Sequence, residues 1–134
     1  MRNSESAEMY LETILVLKEK QVKVRAIDIV HSTGYTKPSV SRAMGLLKQK
    51  GYAEVDAYGY IDLTEEGKVI ASKILERHRV IFDFLKQIGV SEEVAADDAC
   101  KMEHVIGDET FERMKAFLTK RETRRSNDIQ IHLL

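Results

Sequence analysis

The only proline of this 134-residue chain, Pro38, follows Gly34-Tyr35-Thr36-Lys37, and that short run leaves the segment around it few ways to fold. Proline lacks an N–H and clashes with the turn before it, so in a helix it belongs in the first turn. Glycine takes up the left-handed backbone conformation without strain and commonly closes a helix. The expected arrangement is a short helix over Val24–Gly34 closed by Gly34, a tight turn, and a new helix opening at Lys37-Pro38. In that new helix Val40, Met44 and Leu47 fall at i, i+4 and i+7 and form the buried face, which leaves Ser39, Ser41 and Arg42 looking outward. Gly51 stops it.

Upstream, "SESAEMYLETILVLKEK" (Ser4–Lys20) sets Met9, Ile14 and Leu17 among further apolar residues at helical spacing, with Ser4 and Ala7 a partial capping box. Downstream, Tyr52–Val55 and Tyr60–Leu63 read as two short strands of a hairpin joined around Ala57-Tyr58-Gly59. Thr64, with Gly67 nearby, opens a long helix that ends near Gly89. Ser91 caps a helix to about Val105, and Asp108 caps a last helix to about Arg125, followed by a loose tail. The expected fold class is mainly α. Residues 1–70 form a winged helix-turn-helix of three helices plus a β-hairpin, and residues 71–134 form a second, α-helical domain.

The length suits one domain with a modest appended unit, and 43% hydrophobic residues with 32% charged ones can bury a core. No apolar run approaches the roughly 20 residues of a membrane span, and no basic-then-apolar leader opens the chain. A cytoplasmic protein without a membrane partner is expected. One cysteine cannot form an internal disulfide, which leaves Cys100 available for other chemistry.

The net charge of −1 hides an asymmetry. Residues 36–51 hold Lys37, Arg42, Lys48 and Lys50 and no acid, whereas residues 92–112 hold eight acids against Lys101 alone. An anionic partner at one segment and a cationic one at the other would match this distribution. A recognition helix exposes small hydroxyls and a guanidinium on one side and anchors its apolar side in the core. Thr36, Lys37, Pro38, Ser39, Ser41 and Arg42 crowd the start of this helix. They suit double-stranded DNA, with Arg42 placed for a guanine edge, Lys48 for phosphate, and Tyr58 at the wing tip for backbone or minor groove. The alternative is a metal-independent winged-helix module that binds DNA or protein constitutively.

Cys100, Glu103 and His104 fall at i, i+3 and i+4, so one helical face carries a thiol, a carboxylate and an imidazole. Three readings compete: a catalytic thiol, a metal site, or coincidence on a polar helix. Catalysis would need oxyanion donors, a substrate cleft and usually a helix N-terminus to activate the thiol. Cys100 instead sits mid-helix among acids, and no cleft for a small organic substrate is signalled, so no enzyme is expected. The metal reading gains from the acids, since accumulated negative charge favours a cation.

Three motifs in order, "AEMYLETI" (Ala7–Ile14), "ERHR" (Glu76–Arg79) and "DACKMEHVIGDE" (Asp98–Glu109), resemble those of the iron- and manganese-dependent transcriptional repressors, the diphtheria toxin repressor and manganese transport regulator type. The resemblance spans nearly the whole chain, in the short form without an SH3-like third domain. It implies that the second domain binds metal and dimerises, with Met9, Glu12, His78, Cys100, Glu103 and His104 as ligands. Met9 and Cys100 match positions filled by methionine and cysteine in the iron branch; Glu12 matches a ligand of the manganese branch. Phe82 and Ala96 stand where the diphtheria-type ancillary site has a glutamate and a histidine, so a second ion would rely on His78 with Glu12 or Glu103.

On this reading a divalent transition metal joins the first helix, through Met9, to the helix of Cys100, Glu103 and His104. Thioether and thiolate donors favour Fe(II), with Co(II) and Ni(II) as alternatives, over the harder Mn(II), which the family also uses. Apolar residues of the last two helices, among them Val94, Ala95, Ala99, Phe111, Met114, Phe117 and Leu118, exceed what the long helix would cover and point to a homodimer. A two-fold dimer reads a palindromic operator. The resemblance implies repression of metal-uptake genes.

Overall fold

The α1 helix (Arg2–Lys20), α2 (Ala26–Thr33) and α3 (Lys37–Gln49) precede a two-stranded sheet of β1 (Ala53–Val55) and β2 (Ile61–Leu63); α4 (Glu65–Gln87), α5 (Glu92–Met102) and α6 (Asp108–Leu133) follow. This computed structural model describes the backbone of residues 2–133 and the side chains of residues 7–121. It divides into two compact units, Met1–Leu75 and Glu76–Leu134.

In the first unit the side chains marked by helical periodicity meet in one core. Leu11 and Ile14 of α1, Ile29 of α2, and Val40, Met44 and Leu47 of α3 are buried with Ala53, Ile61, Leu63 and Ala71. The buried face of α3 is the expected one. Thr36 caps α3, its side-chain oxygen accepting from the Ser39 amide, and Pro38 stands in the first turn. Gly34 closes α2 with φ +76° and donates its N–H to Val30 O.

Val24 does not belong to α2. It is fully buried and forms an isolated antiparallel bridge with Ile61, whose N–H donates to Val24 O at 2.7 Å. A β-branched residue beside a strand edge gains more from that pairing than from a helix terminus. The helix starts instead after Arg25, whose N–H donates to the Asp28 carboxylate at 2.8 Å.

The hairpin pairs Ala53 with Leu63, Glu54 with Asp62 and Val55 with Ile61, each strand one residue shorter than expected. Its base is clamped to the start of α4. Thr64 Oγ1 donates to Gly51 O at 2.7 Å and accepts from the Gly67 amide at 3.1 Å. A Cβ on Gly67 would lie 2.0 Å from Tyr52 O, so only glycine lets the helix approach this closely.

In the second unit Ile81 and Leu85 of α4 pack on Ala95 and Ala99 of α5, with Phe82, Phe84, Val90, Met102, Ile106 and Met114 around them. Ala95 and Ala99 are therefore buried within the unit, Phe111 is buried as well, and none of the three contributes to a free apolar face; Val94, Val105 and Phe117 stay exposed. The α5 helix ends at Met102, earlier than expected. Glu103 still donates its N–H to Ala99 O, and a turn follows in which the Val105 and Ile106 amides both donate to Met102 O. Ser91 occupies the cap position of α5 but makes no side-chain cap bond. The α6 helix continues to Leu133 where a loose tail was expected. No glycine or proline follows Gly107, so nothing interrupts propagation. The α1 helix begins two residues before Ser4, whose side chain lies outside the described residues.

Candidate metal centre and nucleic-acid interface

In the first unit the expected DNA-facing residues lie along α3, from its Thr36 cap to Lys48 in its last turn, and at the hairpin tip. Lys37, Pro38, Ser41, Arg42 and Lys48 are exposed and Ser39 is half-buried. Thr36 Oγ1 donates to Ser39 Oγ at 2.9 Å, and Arg42 Nη2 reaches the same oxygen at 3.5 Å. The hydroxyls thus form a short ordered row beside a guanidinium, set over a helix N-terminus that favours anions. At the other edge Asp56 Oδ1 accepts from the Tyr58 and Tyr60 amides at 2.9 Å each, which shapes the hairpin loop and leaves the Tyr58 side chain 76% exposed.

Sequence reasoning missed two cations there. Lys23 and Arg25 flank Val24, and both lie over the Tyr60 ring, at 4.6 Å and 4.5 Å from its centroid. The bridge of Val24 to Ile61 delivers them to the wing. The available signal was a β-branched residue between two basic ones in a connector.

Also in the first unit, Met9 and Glu12 are half-buried and three residues apart on α1, hence on one helical face. The Tyr35 hydroxyl donates to Met9 Sδ at 3.2 Å. A groove of about 690 Å³ runs past Met9, Tyr10 and Tyr35 to Ser39 and Arg42.

In the second unit α4 carries His78, α5 carries Cys100, and the turn after α5 carries Glu103 and His104. Glu103 is 1% exposed, the one charged side chain buried among the described residues. Its Oε2 is hydrogen-bonded to His78 Nδ1 at 2.9 Å, and its Oε1 lies 3.2 Å from His104 Nε2. Oε1 nevertheless has no hydrogen-bond partner among the described residues. One donor atom each from His78, Cys100 and Glu103 lies within 4.8 Å of the other two. Donors on a single tetrahedral ion at about 2.0–2.3 Å stand roughly 3.3–3.8 Å apart. Small side-chain adjustments would bring these three onto a common centre, with His104 beside them.

The surroundings hold this cluster in place. Arg77 donates to Ile106 O at 2.8 Å and pairs with Asp108, which fixes the turn carrying Glu103 and His104. Lys115 pairs with Glu76. The Phe82 ring lies parallel to that of His78, 6.4 Å between centroids. A buried carboxylate with an unsatisfied oxygen costs free energy unless a cation or donor completes it. Carboxylate, imidazole and thiolate together make a transition-metal donor set, and the residues present fit a divalent ion.

The metal-binding and dimerisation domain of the iron-dependent repressors matches residues 64–130, and their N-terminal DNA-binding domain matches residues 3–61. An uncharacterised HTH-type transcriptional regulator of Methanocaldococcus jannaschii is 36% identical over 119 residues, 87% of this chain and 95% of the relative. The transcriptional regulator MntR of Escherichia coli is 32% identical over 111 residues, 83% of this chain and 72% of that protein. A solved manganese-dependent transcriptional repressor in complex with manganese is similar with a TM-score of 0.78 and 27% identity, over 84% of this chain and 52% of that one. The chain thus spans about half the length of that solved repressor. No helix among the described residues is long and apolar enough to cross a membrane.

Proposed function

Because this chain belongs to the iron-dependent repressor family, we propose that it represses transcription in response to a divalent metal held by His78, Cys100, Glu103 and His104. Met9 and Glu12 of α1 complete the ligand set on sequence grounds. The observation that carries the reading is Glu103, a carboxylate buried between two imidazoles with one oxygen unsatisfied. When bound, a divalent cation supplies the positive charge that this carboxylate lacks. Cys100 and Met9 make the donor set softer than an all-carboxylate one, which favours Fe(II), with Co(II) or Ni(II) next, over Mn(II).

Thr36, Lys37, Pro38, Ser39 and Ser41 position α3 on the phosphate backbone, Arg42 reads a base edge, Lys48 adds a phosphate contact, and Tyr58 brings the wing to the duplex. Lys23 and Arg25 add cations to the wing. Dimerisation through the second unit, where Val94, Val105 and Phe117 are exposed, would present two recognition helices roughly 34 Å apart and match a palindromic operator. The genes controlled are those of metal uptake.

The test selects binding sites from random duplexes with Fe(II) under anaerobic conditions and then titrates the selected duplex with and without chelator. Metal-dependent binding supports the proposal. Equal binding in both conditions overturns it and leaves a constitutive winged-helix module.

A further inference from the structure

Tyr35 has two attachments that its place in the chain does not suggest. Its backbone is the link between α2 and α3, directly after the Gly34 cap and directly before Thr36, and its N–H donates to Thr33 Oγ1 at 3.2 Å. Its hydroxyl, on a side chain 41% exposed, donates to Met9 Sδ at 3.2 Å. A thioether is a weaker acceptor than water, so the geometry is set by packing. The Tyr10 ring supplies that packing, 6.0 Å away and tilted by 55°.

The consequence falls on Met9. Methionine is unbranched with three rotatable bonds, and its sulfur samples many positions unless something holds it. The phenol engages one of the two sulfur lone pairs and leaves the other for a soft cation. Resting on the proposed role of Met9 as a ligand, we infer that Tyr35 is a positioning residue for the Met9 sulfur, and that through it metal occupancy is felt at the first turn of the recognition helix. Immobilising a side chain of this kind costs binding about three- to tenfold in affinity, and Tyr35 lowers that cost by holding Met9 beforehand. A cation on the sulfur in turn holds the phenol, and with it the Gly34–Thr36 turn that starts α3.

The experiment compares the full chain with Tyr35→Phe, Met9→Leu and the double variant, using anaerobic Co(II) titration read by d–d absorption. Phenylalanine keeps the ring on Tyr10 and removes only the donor, and thermal melts of the metal-free proteins verify folding. Tyr35→Phe is expected to weaken Co(II) binding about three- to tenfold, with no further loss when Met9 is already leucine. Protection of the Ser39 amide against hydrogen exchange should rise with Co(II) in the parent and not in Tyr35→Phe. Unchanged or tighter Co(II) binding by Tyr35→Phe overturns the inference, tighter binding showing that the phenol competes with the ion. Met9→Leu binding Co(II) with unaltered affinity and spectrum would instead remove Met9 from the ligand set.

Discussion

Replacing Glu103 by glutamine separates a ligand from a structural ion pair, because the two roles predict opposite signs. The side chain is 1% exposed, Oε2 bonds His78 Nδ1 at 2.9 Å, and Oε1 is unsatisfied. Removing one partner of a buried ion pair costs about 3–5 kcal/mol when it strands the opposite charge. Here the partners are imidazoles, which can be neutral, so no charge is stranded and the desolvation of a carboxylate is relieved. Metal-free Glu103→Gln should therefore match the parent in stability or exceed it by about 1 kcal/mol. Metal response moves the other way. At a hundred times its dissociation constant an ion stabilises the parent by about 2.7 kcal/mol. A hundredfold weaker site, the upper end of what even outer-shell changes cause, retains about 0.4 kcal/mol at the same concentration. At roughly 4 °C per kcal/mol, the Co(II)-induced rise in Tm should fall from about 11 °C to about 2 °C. Circular dichroism melts with Co(II) and with chelator measure both effects. A full metal-induced shift in Glu103→Gln, or a metal-free loss above about 2 kcal/mol, would refute the reasoning.

Gly67→Ala gains about 0.5–1 kcal/mol of helix propensity but forces a Cβ to 2.0 Å from Tyr52 O. The clash dominates, and a net loss of about 2 kcal/mol or more in urea denaturation is expected; a neutral result would show that the hairpin base yields. Arg42→Ala should cost about 1–3 kcal/mol on the selected duplex and relax preference at one base position, whereas Lys48→Ala should lower the salt slope by about 1 without changing preference. Binding-site selection repeated with each variant decides between them. Burial holds the Tyr10 phenol above its ordinary 10.0, Tyr35 adding to the shift and Arg42 opposing it. The folded chain then binds this proton more tightly than the unfolded one, a stabilisation complete below pH 10 and lost as pH rises through the folded value. Tyr10→Phe should flatten that alkaline decline. Lys115, also raised, through its hydrogen bond with Glu76, is present in both proteins and cancels from the comparison. Identical alkaline limbs would reject the effect.

The recognition helix was legible because several local rules agree on it: a glycine stop, a threonine cap, a first-turn proline and three apolar residues at helical spacing. The metal-binding segment was legible only in part. Placing Cys100, Glu103 and His104 on one helix kept them close together, but the helix gives way to a turn after Met102. Arg77, held to Ile106 O and Asp108, fixes that turn, and such a contact between residues 29 and 31 positions apart leaves no mark in local periodicity. The pairing of His78 with Glu103 across 25 positions is equally non-local; the resemblance of motifs suggested His78, and periodicity could not. Val24 was misassigned because a β-branched residue beside a helical pattern is ambiguous until its strand partner is known. The apolar surplus of α5 was overestimated because Ala95 and Ala99 are small enough to let Ile81 and Leu85 approach closely.

The bridge between Val24 and Ile61 also bears on how far the connector from α1 to α2 can drift. Its residues look permissive: Val22 is 84% exposed, and insertions in such a loop are usually inexpensive. Yet the strand partner fixes where Val24 must arrive, and Lys20 fixes where the segment departs. An added residue would have to bulge outward near Val22 or shift Val24 by one position, turning a buried side chain to solvent and a neighbouring cation inward. The tolerated length of this exposed loop is thus set by the hairpin on the far side of the sequence.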